Sequence, residues 1–445
     1  MATYLSRTPS SAGNRKTFTI SLWFKRSQVG DRNCLFSTDG ANDHDRFELT
    51  IHQNNYLMVG LNSFNVFETN MLFRDISAWY HIMFVADTTQ GSSSNRTKLY
   101  VNGSQVTSFS ATNQNSISSN FDFGVNNTNA HKIGASPSNG DGTNGYIADF
   151  NLIDGSALTP SSFGETDSTT GIWKPKSISG VTYGTNGVYL QFKNSGALGT
   201  DTSGNSNTYA VNNAGTNAQV TDTPTNNFCT MNPLATNSRG TFSLGNTKVQ
   251  LNLQGSDPYG QVEFGTYAVN SGKWYFEVKD ISAGGGGKMG LGINEKWETN
   301  KYVNGHNNIG SVGNAFYSNQ GDIKVGSGSD QSASSYTDND IISVAFDLTN
   351  SKVYFAKNGV WQRSGDPANG TGGDTLTSSY NDYWTPWITK DSTNSAHNSF
   401  VEFNFGNPAF SISSGNADAN GFGNFEYAVP SGFYALCTKN INTYG

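Results

Sequence analysis

The chain has 445 residues, too many for one ordinary hydrophobic core and enough for two or three units of roughly 150 to 200 residues. Charged residues make up 14% of it, well below the roughly 25% of average soluble domains, while aromatic residues reach 13%, ample for folded cores. A net charge of −7 without a long basic run excludes the electrostatic footprint of a nucleic-acid binder, and no segment approaches the ~18 apolar residues of a membrane-spanning helix.

Solubility therefore rests on Asn, Ser, Thr and Gly, and the 50 glycines supply tight turns for an all-β chain of extracellular character. Cys34, Cys229 and Cys437 are odd in number and far apart, which predicts buried free thiols rather than a disulfide framework or a metal site. The opening MATYLSRTPSSAGNRKTFTISLWF lacks an apolar leader, so the expectation is a protein that is not secreted by that route.

In chain order, short alternating runs bounded by Gly, Asn, Asp and Ser predict strands and little helix. The first third holds Phe18–Lys25, Phe47–His52, Tyr56–Leu61, Trp79–Ala86, Lys98–Val101 and Tyr146–Ile153. In KLYVNGSQV, Asn102 and Gly103 stand where a two-residue type I′ hairpin needs positive φ. Residues 166–237 loosen into a Gly, Asn and Thr-rich connector, interrupted by the strand-like Gly187–Phe192 and predicted to dock partly on the first sandwich. Alternation returns in Val249–Leu253, Gly272–Lys279, Met289–Ile293, Ile341–Asp347, Lys352–Lys357, Trp387–Thr389 and Phe400–Phe405. The predicted architecture is all-β, two tandem antiparallel β-sandwiches over 1–165 and 238–410, with a C-terminal extension over 411–445.

The series GKWYFEV, GLGI, DIISVAFDLTNSKVYFAKNGVW, YWTPWI and VEFNFG between residues 272 and 406 resembles the SPRY family. That resemblance implies a ligand-binding sandwich whose specificity lies in its loops. Within it Val344, Phe346, Val353 and Phe355 alternate inward and Asn358–Gly359 closes a hairpin. The order FTISLWFKRS, WYHIMFVAD, KLYVNGSQV, HKIGAS and GYIADFNLIDGSALT over residues 17–163 resembles the laminin-G/concanavalin A-like family, whose members include lectins, adhesion modules and some glycoside hydrolases. The opening SRTPSSAGNRKTFTISLWFKRS, with VYLQF, DTSGNSN, DTPTNNFCTMNPL and PSGFYALCTKN, resembles tail-fibre proteins of marine tailed bacteriophages over nearly the whole chain. It implies a virion protein on the tail or capsid surface, a homo-oligomer with a trimer favoured, which binds host-surface glycan or neighbouring virion proteins. Capsid decoration, a glycan depolymerase and a secreted adhesin are the alternatives.

No catalytic residue is assigned. A retaining glycosidase needs two carboxylates about 5 Å apart, yet Glu48, Asp149, Glu277 and Glu402 stand singly on their strands. The six histidines lack ligand spacing, and neither a G-x-S-x-G elbow nor a P-loop occurs. No cofactor is required; calcium is the one ion to weigh, with Asp39, Asp43 and Asp45 in DGANDHD and Asp201 and Asn205 in DTSGNSN as hard oxygen ligands. For a glycan, Trp384 and Trp297 are the leading exposed platforms, with Tyr317 and Trp361 beside predicted loops.

Overall fold

The structure, a computed structural model, describes residues 3–215, 218–235, 240–251, 261–282, 289–295, 314–377, 383–390 and 399–445. The chain divides into two compact units, residues 1–219 and 220–445. The division therefore falls within the expected connector rather than at its ends, and residues 411–445 belong to the second unit.

In the first unit an eight-stranded antiparallel sheet runs Phe109–Thr112, Asn65–Leu72, Tyr56–Gly60, Phe47–Ile51, Asn33–Thr38, His131–Ile133, Tyr4–Arg7, Ala210–Asn212. A six-stranded sheet runs Val188–Leu190, Gly145–Asp154, Thr17–Arg26, Tyr80–Asp87, Thr97–Val101, Ser104–Gln105. The alternation of TFTISLWFKR explains the core between the sheets. Phe18, Ile20, Leu22 and Phe24 all point inward, where they pack with Phe36, Phe47, Phe84 and Phe150. The other face of the six-stranded sheet is also covered, since Met83, Val85 and Ile153 pack against Phe163 and Tyr183 of the following segment. Asn102 and Gly103 take φ of 47° and 79°, and Val101 pairs with Ser104, as the type I′ reading requires.

In the second unit the larger sheet runs Thr241–Ser243, Lys248–Leu251, Ser399–Asn404, Lys273–Ser282, Ile341–Asp347, Lys352–Lys357, Val360–Trp361. Gln261–Phe264, Thr385–Lys390, Met289–Asn294, Asn314–Ser318, Asp322–Val325 and Gln331–Ser332 form the facing sheet. Val344 pairs with Phe355 and Phe346 with Val353, and all four enter a core that contains Trp274, Phe276, Leu291 and Ile388. Asn358 and Gly359 close their hairpin at φ of 47° and 79°. The far face of the larger sheet is covered by the chain's last segment. Phe425, Phe433 and Cys437 pack there with Tyr275, Ala345, Tyr354 and Phe228, and Tyr434–Ala435 joins Lys273–Ser282 as a parallel strand.

Helix is confined to Ser93–Arg96 and Thr438–Tyr444, with two single 3-10 turns, among the described residues. Asn33–Thr38, Asn65–Leu72 and Asn314–Ser318 are strands that lie outside the predicted set. The second, NVFETNML, shows why: its register slips at two points against Tyr56–Gly60, so inward and outward residues do not alternate cleanly.

Candidate functional site

A cavity of about 210 Å3 opens on the first unit, lined by Ile178, Ser179, Gly180, Val181, Tyr183, Tyr189, Gln191 and Thr202. It lies on the outer side of the six-stranded sheet. Val188 and Leu190 of VYLQF turn into the sandwich core, so the alternation puts Tyr189 on the opposite face. There its ring lies nearly parallel to that of Tyr183, at 9° with centroids 6.2 Å apart.

A bulge in the strand Gly145–Asp154 sets the floor of this arrangement. Pairing with Thr17–Arg26 shifts between Ala148 and Asn151, and Asp149 takes a left-handed φ of 47°. The Tyr189 hydroxyl donates to Asp149 Oδ1 at 3.0 Å, the Tyr183 hydroxyl donates to Asn151 Oδ1 at 2.7 Å, and Asn151 Nδ2 donates to the Asp149 carbonyl at 2.9 Å. Burial raises the Asp149 carboxyl above the usual range against the opposing pull of Tyr189 and the Lys193 charge. Burial and the Asp149 charge together push the Tyr189 phenol up to about 12.

The loop DTSGNSN forms the back of this region. Asp201 Oδ1 accepts the Tyr189 and Ser203 backbone N–H groups, each at 2.9 Å, while Oδ2 accepts Ser203 Oγ at 2.9 Å and the Asn207 N–H at 2.7 Å. Asn205 Nδ2 donates to the carbonyls of Gly184 and Gly187. Asp201 does not fit the calcium reading. Asp201 meets four protein donors where a cation needs free lone pairs.

The other calcium loop is arranged similarly. Asp45 accepts Asn42 Nδ2 and Asn127 Nδ2, each at 2.8 Å, and faces Arg15 at 3.5 Å; Asp43 Oδ1 accepts the Ser63 N–H. Asp39 is exposed. Among the described residues no three His, Cys, Asp or Glu side chains converge as metal ligands.

The aromatic platforms predicted on the second unit need correction. Trp384 is buried in the core, with its backbone bridged to Val269, and Tyr317 is fully buried, with its hydroxyl donating to the Ser334 carbonyl. Trp361 is half-buried against the cluster around Tyr354. Trp297 lies outside the described residues.

The lone acids each have a protein partner. Glu48 takes ion pairs from Arg32 and Arg46, Glu402 takes one from Lys248 at 2.9 Å, and Glu277 accepts four donors. His81, stacked between Trp23 and Trp173 at centroid distances of 4.9 and 6.0 Å, contacts Ser21 Oγ through Nε2 at 2.8 Å. Trp173 Nε1 donates to Nδ1 at 3.1 Å, so Nε2 carries the proton and donates to the serine. That polarity is the reverse of a base taking a proton from a nucleophile. All three cysteines are buried free thiols, and burial pushes Cys34 up to about 12.

No curated protein matches the chain in sequence. Among solved structures, the SPRY domain of human HERC1 aligns with 39% of this chain and 96% of its own length at 14% identity, with a TM-score of 0.29. A candidate carbohydrate-binding protein from Bacteroides ovatus aligns with 48% of this chain and 56% of its own at 16% identity, with a TM-score of 0.30. The heptameric SAP-like pentraxin of Limulus polyphemus aligns with 36% of this chain and 72% of its own at 18% identity, with a TM-score of 0.25. The first unit has the clearest relationship: residues 2–162 match the family model of the concanavalin A-like lectin/glucanases superfamily.

Proposed function

We propose that this chain is a glycan-binding protein without a catalytic centre of its own, and that the tyrosine-lined cavity of the first unit is its sugar site. One observation carries the reading. On the unit whose residues 2–162 match the concanavalin A-like lectin/glucanases superfamily, two parallel tyrosine rings from the segment just after the matched residues meet Ser179, Gln191 and Thr202 in one concavity. Apolar faces beside a few hydroxyl and amide groups are what a sugar ring, with its C–H and O–H sides, requires.

The finer reading places the chain on a tailed-phage virion, as a tail fibre or similar appendage that contacts host-surface glycan or neighbouring virion proteins. Its support is the likeness of the chain's opening, its DTSGNSN and DTPTNNFCTMNPL segments and its closing PSGFYALCTKN to such proteins. Display as a homo-oligomer, with a trimer favoured, would raise the avidity of individually weak sites. Capsid decoration is the alternative position on the same particle.

A glycan array probed with the full chain tests the binding role, and uniform absence of binding would end it. Release of reducing ends from a bound polysaccharide would contradict the non-catalytic part. Antibody labelling of intact particles distinguishes tail from capsid, and labelling of neither would remove the virion reading.

A further inference from the structure

We infer that the cavity takes a single uncharged pyranose, laid with its apolar face on Tyr189, which the buried Tyr183 backs, and that it rejects acidic sugars. The inference rests on the glycan-binding reading above and narrows the ligand class.

Ring orientation comes first. The Tyr183 hydroxyl is held by Asn151, and the Tyr189 hydroxyl by Asp149 and by the side chain of Gln191, the one of the three that lines the cavity, so the rings present hydrocarbon to a ligand rather than O–H groups. Ile178 and Val181 extend the apolar wall, and the polar lining is limited to neutral groups of Ser179, Gln191 and Thr202 together with backbone, the Thr202 hydroxyl donating to the Tyr189 carbonyl at 3.0 Å and so left as an acceptor. A pyranose offers the complementary pair of surfaces, a C–H patch on one side and equatorial hydroxyls around the rim.

Charge sets the class. No charged side chain lines the cavity, so a carboxylated sugar would lose its hydration without gaining a cation. Burial first, then Tyr189, raise the Tyr183 phenol, and the carboxylates of Asp201 and Asp149 behind the rings add to it with negative charge. Lys193 acts on Asp149 and is not part of the lining.

Size sets the number of rings. About 210 Å3 is below the ~300–1,000 Å3 of pockets that enclose drug-sized ligands, so one ring fits and the rest of a chain must leave through the mouth.

The test is ligand-observed saturation-transfer NMR on the full chain with methyl glycosides of glucose, galactose and mannose, set against those of glucuronic acid and N-acetylneuraminic acid. At least one neutral glycoside should receive saturation and the acidic pair should not. Ser179→Trp, at an exposed position of the lining, should weaken the neutral ligand at least tenfold, and Gln191→Ala should do so several-fold. Acidic sugars binding as well as neutral ones, or neutral binding unchanged in both variants, would overturn the inference and leave glycan binding elsewhere on the chain intact. No signal from any glycoside, with an array equally blank, would sink the reading and the inference together.

Discussion

The Tyr189 hydroxyl reaches Asp149 Oδ1 at 3.0 Å across a strand bulge where Asp149 itself stands in the left-handed region. Two demands meet at this position, an acceptor for a half-buried phenol and a residue tolerant of positive φ. Asn satisfies both. Asp149→Asn should therefore change unfolding free energy by less than about 0.5 kcal/mol, whereas Asp149→Ala, which strands the hydroxyl and strains the backbone, should cost about 2 kcal/mol. Urea unfolding of the two variants against the parent chain checks the difference.

Two glycines with similar backbones should respond very differently. Gly30 has φ of 86° with nothing within 4 Å of an added Cβ, while Gly103 has φ of 79° and its Cβ would meet the Trp173 ring at 2.6 Å. Gly30→Ala should cost about 1 kcal/mol, the backbone penalty alone. Gly103→Ala should cost about 3 kcal/mol, because Trp173 is itself held by His81 and cannot withdraw freely. Denaturation midpoints of the pair separate backbone strain from steric exclusion.

Glu277 ties the last segment of the chain to the second unit. Its carboxylate accepts the N–H groups of Tyr427 at 2.8 Å and Glu426 at 3.0 Å, the Tyr275 hydroxyl at 2.9 Å and Asn404 Nδ2 at 3.0 Å. Glu277→Ala removes one group and leaves four donors without it, at a cost of about 3 kcal/mol or more. Limited proteolysis should then cut within residues 411–433 before the rest of the unit, and unchanged resistance would refute the anchoring role.

The two units should lose stability at opposite ends of the pH scale. Burial lowers His81 to about 3 and His131 to about 4, so both stay neutral in the fold and take up protons on unfolding. Their contribution is complete above the ordinary histidine value near 6.5 and is lost as pH falls towards the folded values, about 2 kcal/mol from each between pH 6.5 and 5. Asp280 behaves in reverse. Burial, with Asp338 and Asp340 nearby, raises it to about 7 against the pull of Lys390, so its contribution is complete below about pH 4 and is lost as pH rises through 7, by at most about 4 kcal/mol. Calorimetry at pH 5 and pH 8 should show the two transitions shifting oppositely, with Asp280→Asn flattening the second unit's dependence.

What local pattern can reveal, it revealed here. The inward alternation of FTISLWF and of IISVAFD, and the Asn-Gly turns at 102 and 358, need only neighbouring residues to be read, and the structure has all of them. The end of the first unit is different, because Ala210–Asn212 finds its partner in Tyr4–Arg7, about two hundred positions earlier. Trp384 looks like a loop residue because Pro386 follows it, yet Pro386 sits within a strand opposite Ile293 and carries Trp384 inward. Tyr189 and Gln191 could be recognised from the alternation of VYLQF, whereas Ile178 and Tyr183 come from a stretch without periodicity. Asp201 illustrates a further limit: an Asp in a polar loop offers the same oxygens to a cation or to N–H groups, and only the folded loop decides between them.

The short strand Ala210–Asn212 has a practical consequence. It covers the flank of Tyr4–Arg7 that His131–Ile133 leaves unpaired. A polypeptide stopped at residue 165 would keep most of the sandwich but bare a row of peptide groups ready to recruit an identical molecule, and it should precipitate as it is concentrated. Ending at residue 219 keeps that flank paired and leaves the three-residue Ala210–Asn212 as the edge, so the last fifty-odd residues of the unit shorten the row open to self-association.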